Sequence, residues 1–304
     1  KNEIYVQRYG AWNNKISLFL SGEEPNFECD LICIGTPPDT HYELLMNSIK
    51  YPKSKILVEK PLSGLGFEIL KKFSDLTNKD KKRIFVGYNH VVSKASKFLE
   101  KIILEDLGDP ITLDVEFREN WKGIFKAHPW LSGPGDSYLG NINSGGGSSG
   151  EHSHALNLWQ HFARLMGKKD VVKVLANYNM VSDEKTKLNY DSLSYFILET
   201  SEGFKGSVTQ DVVTYPPRKI IKIQGSKLYA EWIINFEKNN DLVRTVNFQN
   251  KVNQYVFEKN RPDDFIVELE HILKFNEKDC LSPINLDYGI NTMRILNLAL
   301  TSIS

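Results

Sequence analysis

The chain has 304 residues, of which 41% are hydrophobic and 25% charged. That composition excludes wholesale disorder, and the length fits two domains better than one. The 38 Lys and Arg balance the 38 Asp and Glu, which argues against a coat for nucleic acid or an anionic membrane. No apolar run approaches the ~20 residues of a membrane span. Cysteine is sparse and odd in number, at Cys29, Cys33 and Cys280. A disulfide framework is therefore not expected, and a reducing, cytoplasmic compartment is. Cys33 reads as a small buried hydrophobe.

The first ninety residues alternate strand and helix signals. Ile4–Tyr9 is a strand candidate. Residues 29–35 form a short apolar run, as a buried parallel strand would. Thr36-Pro37-Pro38 breaks it, and Thr40 is placed to cap a helix carrying Tyr42, Leu44, Leu45 and Ile49. Ile56–Pro61 is the next strand, followed by a helix with Leu65, Ile69, Leu70 and Phe73. Lys79–Arg83 reads as a solvated charged turn, and Ile84–Tyr88 as another strand. This alternation implies a parallel sheet with helices on both faces.

The pattern changes after Tyr88. A helix over Ser93–Glu105 leads into alternating residues 111–119, an antiparallel strand with one wet face. Residues 129–150 form a long loop rich in Gly, Ser and Asn, a length that points to function. A helix to Gly167 follows, then strands over 171–178, 191–199, 203–215, 219–225 and 227–235, and helices near 263–275 and 287–303. The division expected is 1–88, an α/β domain of Rossmann type, and 89–304, an α+β domain built on a large, mostly antiparallel open sheet.

Ligands of open parallel sheets bind at the carboxyl ends of the strands. Two ends here stand out: Gly35-Thr36-Pro37-Pro38 with His41 beyond it, and Glu59-Lys60-Pro61. A lysine held there by a proline is a cation aimed into the crevice. The second cluster is Gly145–Gly150 followed by Glu151-His152-Ser153-His154. Positions i and i+3 share a helix face, so Glu151 can orient His154 as a base, while His152 points elsewhere. No ligand set for a metal is completed, and His161 reads as a packed helix residue.

This order of motifs resembles the glucose–fructose oxidoreductase/inositol dehydrogenase (Gfo/Idh/MocA) family of nicotinamide-dependent oxidoreductases. The resemblance runs from the strand at Ile4 to the last helix. It implies Lys60 as the active-site lysine, His154 as the catalytic histidine and Glu151 in the place of the family's usual Asp. It also implies Gly35, Thr36, Pro37, His41, Glu59 and Lys60 along the cofactor, and Tyr88 and Asn89 at the entry to the substrate domain. Arg118, Trp130 and His152 are candidate substrate contacts, and the Gly-rich loop lets the sugar approach. Arg218 and Arg261 read as surface salt-bridging residues. No strand, Gly-x-Gly-x-x-Gly turn and helix precede Ile4, so roughly 25 residues of a ~30-residue βαβ unit are expected to be missing from this chain.

The end of the Ile4–Tyr9 strand carries Arg8 and no acid. Arg8 fits the 2′-phosphate of NADP, or else stacks on adenine, so the cofactor is NAD or NADP with a lean to NADP. The expected substrate is a sugar-like hydroxyl or ketone, such as a nucleotide sugar or acidic sugar of surface-polysaccharide synthesis, and the expected assembly is a homodimer or homotetramer. Two rivals share these motifs: an epimerase, dehydratase or glycosidase recycling its NAD, and a non-catalytic sensor or truncated relative.

Overall fold

The computed structural model describes residues 13–20, 23, 28–237, 239–260, 262–276 and 281–301. The strand expected over 4–9, with Arg8, lies outside them, as do Arg261 and Cys280.

Three short strands, β1 (Leu31–Ile34), β2 (Lys55–Val58) and β3 (Ile84–Val86), pair in parallel in that order. Ile34, Val58 and Val86 lie side by side, so the three strands end on one line. β2 and β3 are almost wholly buried, as the apolar runs require. Cys33, by contrast, is exposed, not the buried hydrophobe expected. Helices α1 (His41–Ser48) and α2 (Phe67–Ser74) make the crossovers. Thr40 does not cap α1; its hydroxyl donates to the Pro37 carbonyl at 2.8 Å.

The charged stretch after α2 differs from the expected loop. It holds a one-turn helix, α3 (Asn78–Lys81), capped by the Thr77 side chain. Arg83 is 8% exposed. Its guanidinium donates to the Ile49, Tyr51 and Ser54 carbonyls and to Asp80. It ties the entry of β3 to the exit of α1.

A helix, α4 (Lys94–Glu105), then leads into the second sheet; Ser93 caps it by accepting from Ser96 N, and it buries Leu99, Ile102 and Ile103. The sheet has eight strands in the order β11-β10-β9-β8-β4-β7-β6-β5. These are β4 (Pro110–Arg118), β5 (Val171–Ser182), β6 (Asn189–Thr200), β7 (Lys205–Asp211), β8 (Arg218–Gly225), β9 (Leu228–Ile234), β10 (Asp241–Asn247) and β11 (Val252–Phe257). Only β4–β7 is parallel; the other pairs are antiparallel. The sequence reading missed β10 and β11, whose connecting turn uses Asn250 at φ 58° in place of a glycine.

One face of this sheet is dry. Leu113, Val115 and Phe117 of β4 and Ile221 and Ile223 of β8 are buried on it. After α5 (Trp121–Ala127) and α6 (Gly147–Glu151), the helix α7 (His154–Leu165) covers β4, with Trp159 donating to the Leu113 carbonyl at 2.9 Å. The other face carries the alternate residues, among them exposed Tyr195 and Ile197. The chain finally returns to the first sheet through α8 (Asp263–Lys274) and α9 (Leu286–Thr301). Val86 N donates to the Ile284 carbonyl at 2.8 Å and Lys55 Nζ to the carbonyls that end α8. One apolar core therefore runs through both sheets, and it holds the two walls of the crevice in register.

Candidate active site

The first wall is built by strand ends. Beyond β1 the chain leaves Gly35, Thr36 and Pro37 exposed. Beyond β2, Glu59 N still donates to the Ile34 carbonyl at 2.9 Å, and the Glu59 carboxylate accepts from Lys60 N at 3.2 Å. Beyond β3 sits Gly87, where a Cβ would stand 2.8 Å from Glu59 Oε2, so only glycine leaves room for this carboxylate. His41 does not line the crevice. Its ring is fully buried, with Nδ1 3.1 Å from the Leu62 carbonyl and Nε2 2.8 Å from the Thr36 carbonyl. It braces the Gly35–Pro37 loop against the Lys60 turn from behind.

Lys60 reaches across to the second wall. Its ammonium donates to the Glu151 carboxylate at 3.0 Å and to the Glu151 carbonyl at 2.8 Å, and the two side chains are 16% and 18% exposed. Burial opposes the Lys60 charge, but Glu151, with Tyr138 and Glu59, outweighs it and raises the pKa. The lysine is therefore a fixed cation at working pH. Tyr138, which the sequence reading missed, is pushed up to about 12 by burial, so it is a neutral phenol there.

Glu151 is thus taken by Lys60, and the expected Glu151–His154 pairing is not formed. The reason is local. The helix α6 (Gly147–Glu151) ends at Glu151, His152 leaves helical geometry at φ −97°, ψ 21°, and α7 begins afresh at His154. Spacing arithmetic for one continuous helix does not apply across that break. His154 instead stacks edge-on against Tyr88 at 5.5 Å and His90 at 4.8 Å, and its Nδ1 is buried without a partner. Burial, then the neighbouring His90, Lys60 and Lys219, hold its pKa well below the usual imidazole range. His154 is a neutral imidazole at pH 7, which is the form a proton acceptor needs.

The Gly-rich loop is a clamp rather than an open, flexible approach. Gly145, at φ 85°, lies so close to the Lys60 turn that a Cβ would stand 2.9 Å from Pro61 Cγ and 3.1 Å from the Ser63 carbonyl. The residues 145–150 have the spacing of a phosphate-binding turn, but their donors are used internally. Ser148 Oγ, Ser149 N and Ser149 Oγ all go to the buried Asp191 carboxylate, at 2.5, 2.8 and 3.0 Å. A carboxylate at that position excludes a phosphate.

The remaining candidates divide. Tyr88 is 1% exposed, its hydroxyl donating to Ser153 Oγ at 3.4 Å; Asn89 is 7% exposed with an unpartnered Oδ1. His152 is buried beside Phe117, with centroids 6.3 Å apart, and Gln210 donates to its backbone carbonyl. Arg118 is tied to Asp211 at 3.1 Å and packs over Tyr195. Trp130 is 51% exposed and pairs with His128, and no described contact brings it to Lys60 or His154. Arg218 sits 3.8 Å from Glu116, and His161 bonds Glu100 at 2.8 Å, both away from the crevice. Among the described residues there is no group of three His, Cys, Asp or Glu side chains able to hold a metal, and no helix long and apolar enough to cross a membrane.

A parallel sheet with a glycine loop and a lysine at adjacent strand ends, joined to a second, open sheet domain, is the layout of a Rossmann-type dinucleotide-binding fold. Residues 12–88 match the family model GFO_IDH_MocA, described as an oxidoreductase family with an NAD-binding Rossmann fold. The resemblance read from the motifs is thereby shown over those residues, which match the NAD-binding Rossmann fold of the Gfo/Idh/MocA oxidoreductases. The whole fold is similar to that of solved structures. A levoglucosan dehydrogenase in complex with NADH and levoglucosan is 15% identical, with 90% of this chain and 77% of that one covered and a TM-score of 0.72. An inositol dehydrogenase homolog complexed with NAD+ from Azotobacter vinelandii is 14% identical over 90% and 76%, TM-score 0.71. A UDP-N-acetylglucosamine 3-dehydrogenase from Acidithiobacillus ferrooxidans is 15% identical over 89% and 78%, TM-score 0.64. No curated protein sequence matches the chain.

The residues present fit a nicotinamide. Gly35–Pro37 is exposed at one strand end, and Glu59 and Lys60 stand at the next, where the crevice of such a sheet lies.

Proposed function

We propose that the protein is an NAD(P)-dependent oxidoreductase that moves a hydride between the nicotinamide and a sugar-like hydroxyl or ketone. One observation carries this reading. A cationic lysine locked to Glu151 lies near enough for its charge to act on a neutral histidine with no acid partner, beside the strand ends where a dinucleotide lies.

In the oxidation direction, His154 takes the hydroxyl proton, because a neutral imidazole has a ring nitrogen free to accept it. Lys60 donates a hydrogen bond to the reacting oxygen, which favours the developing alkoxide. Glu151 keeps that lysine charged and fixes its direction. The nicotinamide, when bound, supplies the hydride acceptor or donor. The crevice lies between β2, the 145–150 clamp and α7, so both protein groups come from rigid elements. For the cofactor, the family description names NAD. The lean to NADP rests on Arg8 alone.

The outer sheet face supports self-association. Leu175 of β5 pairs across from Ile197 of β6, and they are 51% and 56% exposed. We take a homodimer or homotetramer to form there, which light scattering of the eluted protein checks.

The test of function is direct titration with NADH and NADPH, followed by tryptophan fluorescence and then by sugar-dependent reduction of NAD or NADP. Binding of neither cofactor refutes the reading.

A further inference from the structure

The second wall of the crevice carries a cluster of which the mechanism above uses only His154. The rings of His90, His152 and His154 all surround Phe117, at centroid distances of 5.6, 6.3 and 6.5 Å. His90 Nδ1, His152 Nε2 and His154 Nδ1 are each buried without a hydrogen-bond partner, as is the Oδ1 of Asn89 next to His90. Orphaned buried polar atoms are uncommon, and a group of them at one place calls for something that pairs with them. His90 and His154 are half-buried, and His152 is buried beside them.

The charges around the cluster are already matched. The cations that act on these imidazoles are Lys60, Lys219 and Lys259. Lys60 is paired with Glu151 at 3.0 Å, Lys219 with Glu119 at 2.7 Å, and Lys259 with both Asp241 and Asp264 at 2.9 Å. Arg118, on the same strand as Phe117, is paired with Asp211. An incoming carboxylate would find each of these four cations already paired, and would meet Glu119 and Glu151. A hydroxyl is both donor and acceptor, and so is a neutral imidazole.

We propose that the sugar ring that reacts here is uncharged, and that His90 belongs to the set of side chains that bind its hydroxyls beside His154. This rests on the oxidoreductase reading given above. It goes further by choosing between a neutral and an acidic ring. A nucleotide carried by the sugar lies outside this choice.

The full chain is first loaded with NADH, and the complex is then titrated calorimetrically with matched pairs: glucose against glucuronate, and UDP-N-acetylglucosamine against its uronate. The neutral member of at least one pair binds tenfold or more tighter than the acid. His90→Phe weakens that neutral sugar at least tenfold and leaves NADH affinity unchanged, and His90→Gln restores part of the loss. Glu119→Gln frees Lys219 and moves the preference toward the acid by about tenfold. A preference for the acid by the unaltered protein overturns the proposal, and so does binding of neither member of both pairs. Should His90→Phe not fold, the comparison of neutral and acidic sugars on the unaltered protein decides alone. Failure to bind NADH strikes the oxidoreductase reading itself, and this inference falls with it.

Discussion

Lys60 and His154 face one crevice from opposite walls, and both are largely withdrawn from water. Their pKa values nevertheless move in opposite directions, upward for Lys60 and downward for His154. Burial works against the cation in each case. On the Lys60 wall a carboxylate 3.0 Å away overcomes it. His154 has no carboxylate bonded to it among the described residues; its Nδ1 is unpartnered and another imidazole ring lies at 4.8 Å. The lesson is that a buried base is made by withholding a counter-charge, and a buried cation by supplying one.

The largest expected effect comes from removing either member. Lys60→Ala and His154→Ala each lower kcat by ~10²–10⁴, the range for a positioned proton-transfer or oxyanion-stabilising group. Steady-state kinetics checks this. If both variants turn over like the unaltered protein, the assignment of both walls is wrong.

Next in size is the response to acid. His90, His152 and His154 have folded-state pKa values held well below 6.5, in the first place by burial. The unfolded chain therefore binds protons near pH 6.5 that the folded chain refuses. Stability is full above pH 6.5 and is lost as pH falls below it, by about 1 kcal/mol per ring at pH 5.5. Urea midpoints at pH 7.5, 6.5 and 5.5 measure the slope. A flat profile over that range contradicts the neutral cluster. His90→Phe, where it folds, removes one ring's share.

The comparison sharpens with Glu151→Gln, which takes away the counter-charge and leaves the burial. The lysine then behaves as the histidine does, and its pKa falls below the ~10.5 of a free lysine. We expect a ~10–100-fold loss in kcat, growing at alkaline pH. An unchanged alkaline limb would mean that Glu151 acts only as packing.

These contrasts were only partly legible in the sequence. The strand ends were, because Gly-Thr-Pro-Pro and Glu-Lys-Pro are punctuation that few structures other than a strand end tolerate. The two-sheet organisation followed from the change of period after Tyr88. What could not be read was partnership. Glu151 and His154 are three residues apart, and the i, i+3 rule assigned them to each other. A single non-helical residue at His152 gave Glu151 to a lysine 91 positions earlier. His90 lies 64 positions from His154, and nothing in its spacing joins them. Tyr138 sits in a loop of three 3-10 turns whose path no periodicity encodes. Local pattern finds elements, while the side-chain partners that set a charge state come from tertiary packing.

Glu268 on α8 gives the smallest effect and the closest test of the principle, since it is the acidic counterpart of His154. It is 2% exposed, and its Oε1 has no partner. Burial first, then the charges of Glu59 and Asp264, raise its pKa to about 8. With no cation supplied, it stays protonated in the fold. The folded pKa lies above the unfolded ~4.5, so the folded state holds a proton that the unfolded chain releases. Its contribution to stability is full below pH 4.5 and is lost as pH rises through about 8. Glu268→Gln keeps the shape and removes the titration. The variant should gain on the unaltered protein as pH rises from 5 to 8.5, read from urea midpoints. An equal change at both pH values would mean that the amide disturbs packing and that Glu268 is ionised in the fold. Its charge would then need a partner, and the contrast drawn from Lys60 and His154 would not extend beyond the crevice.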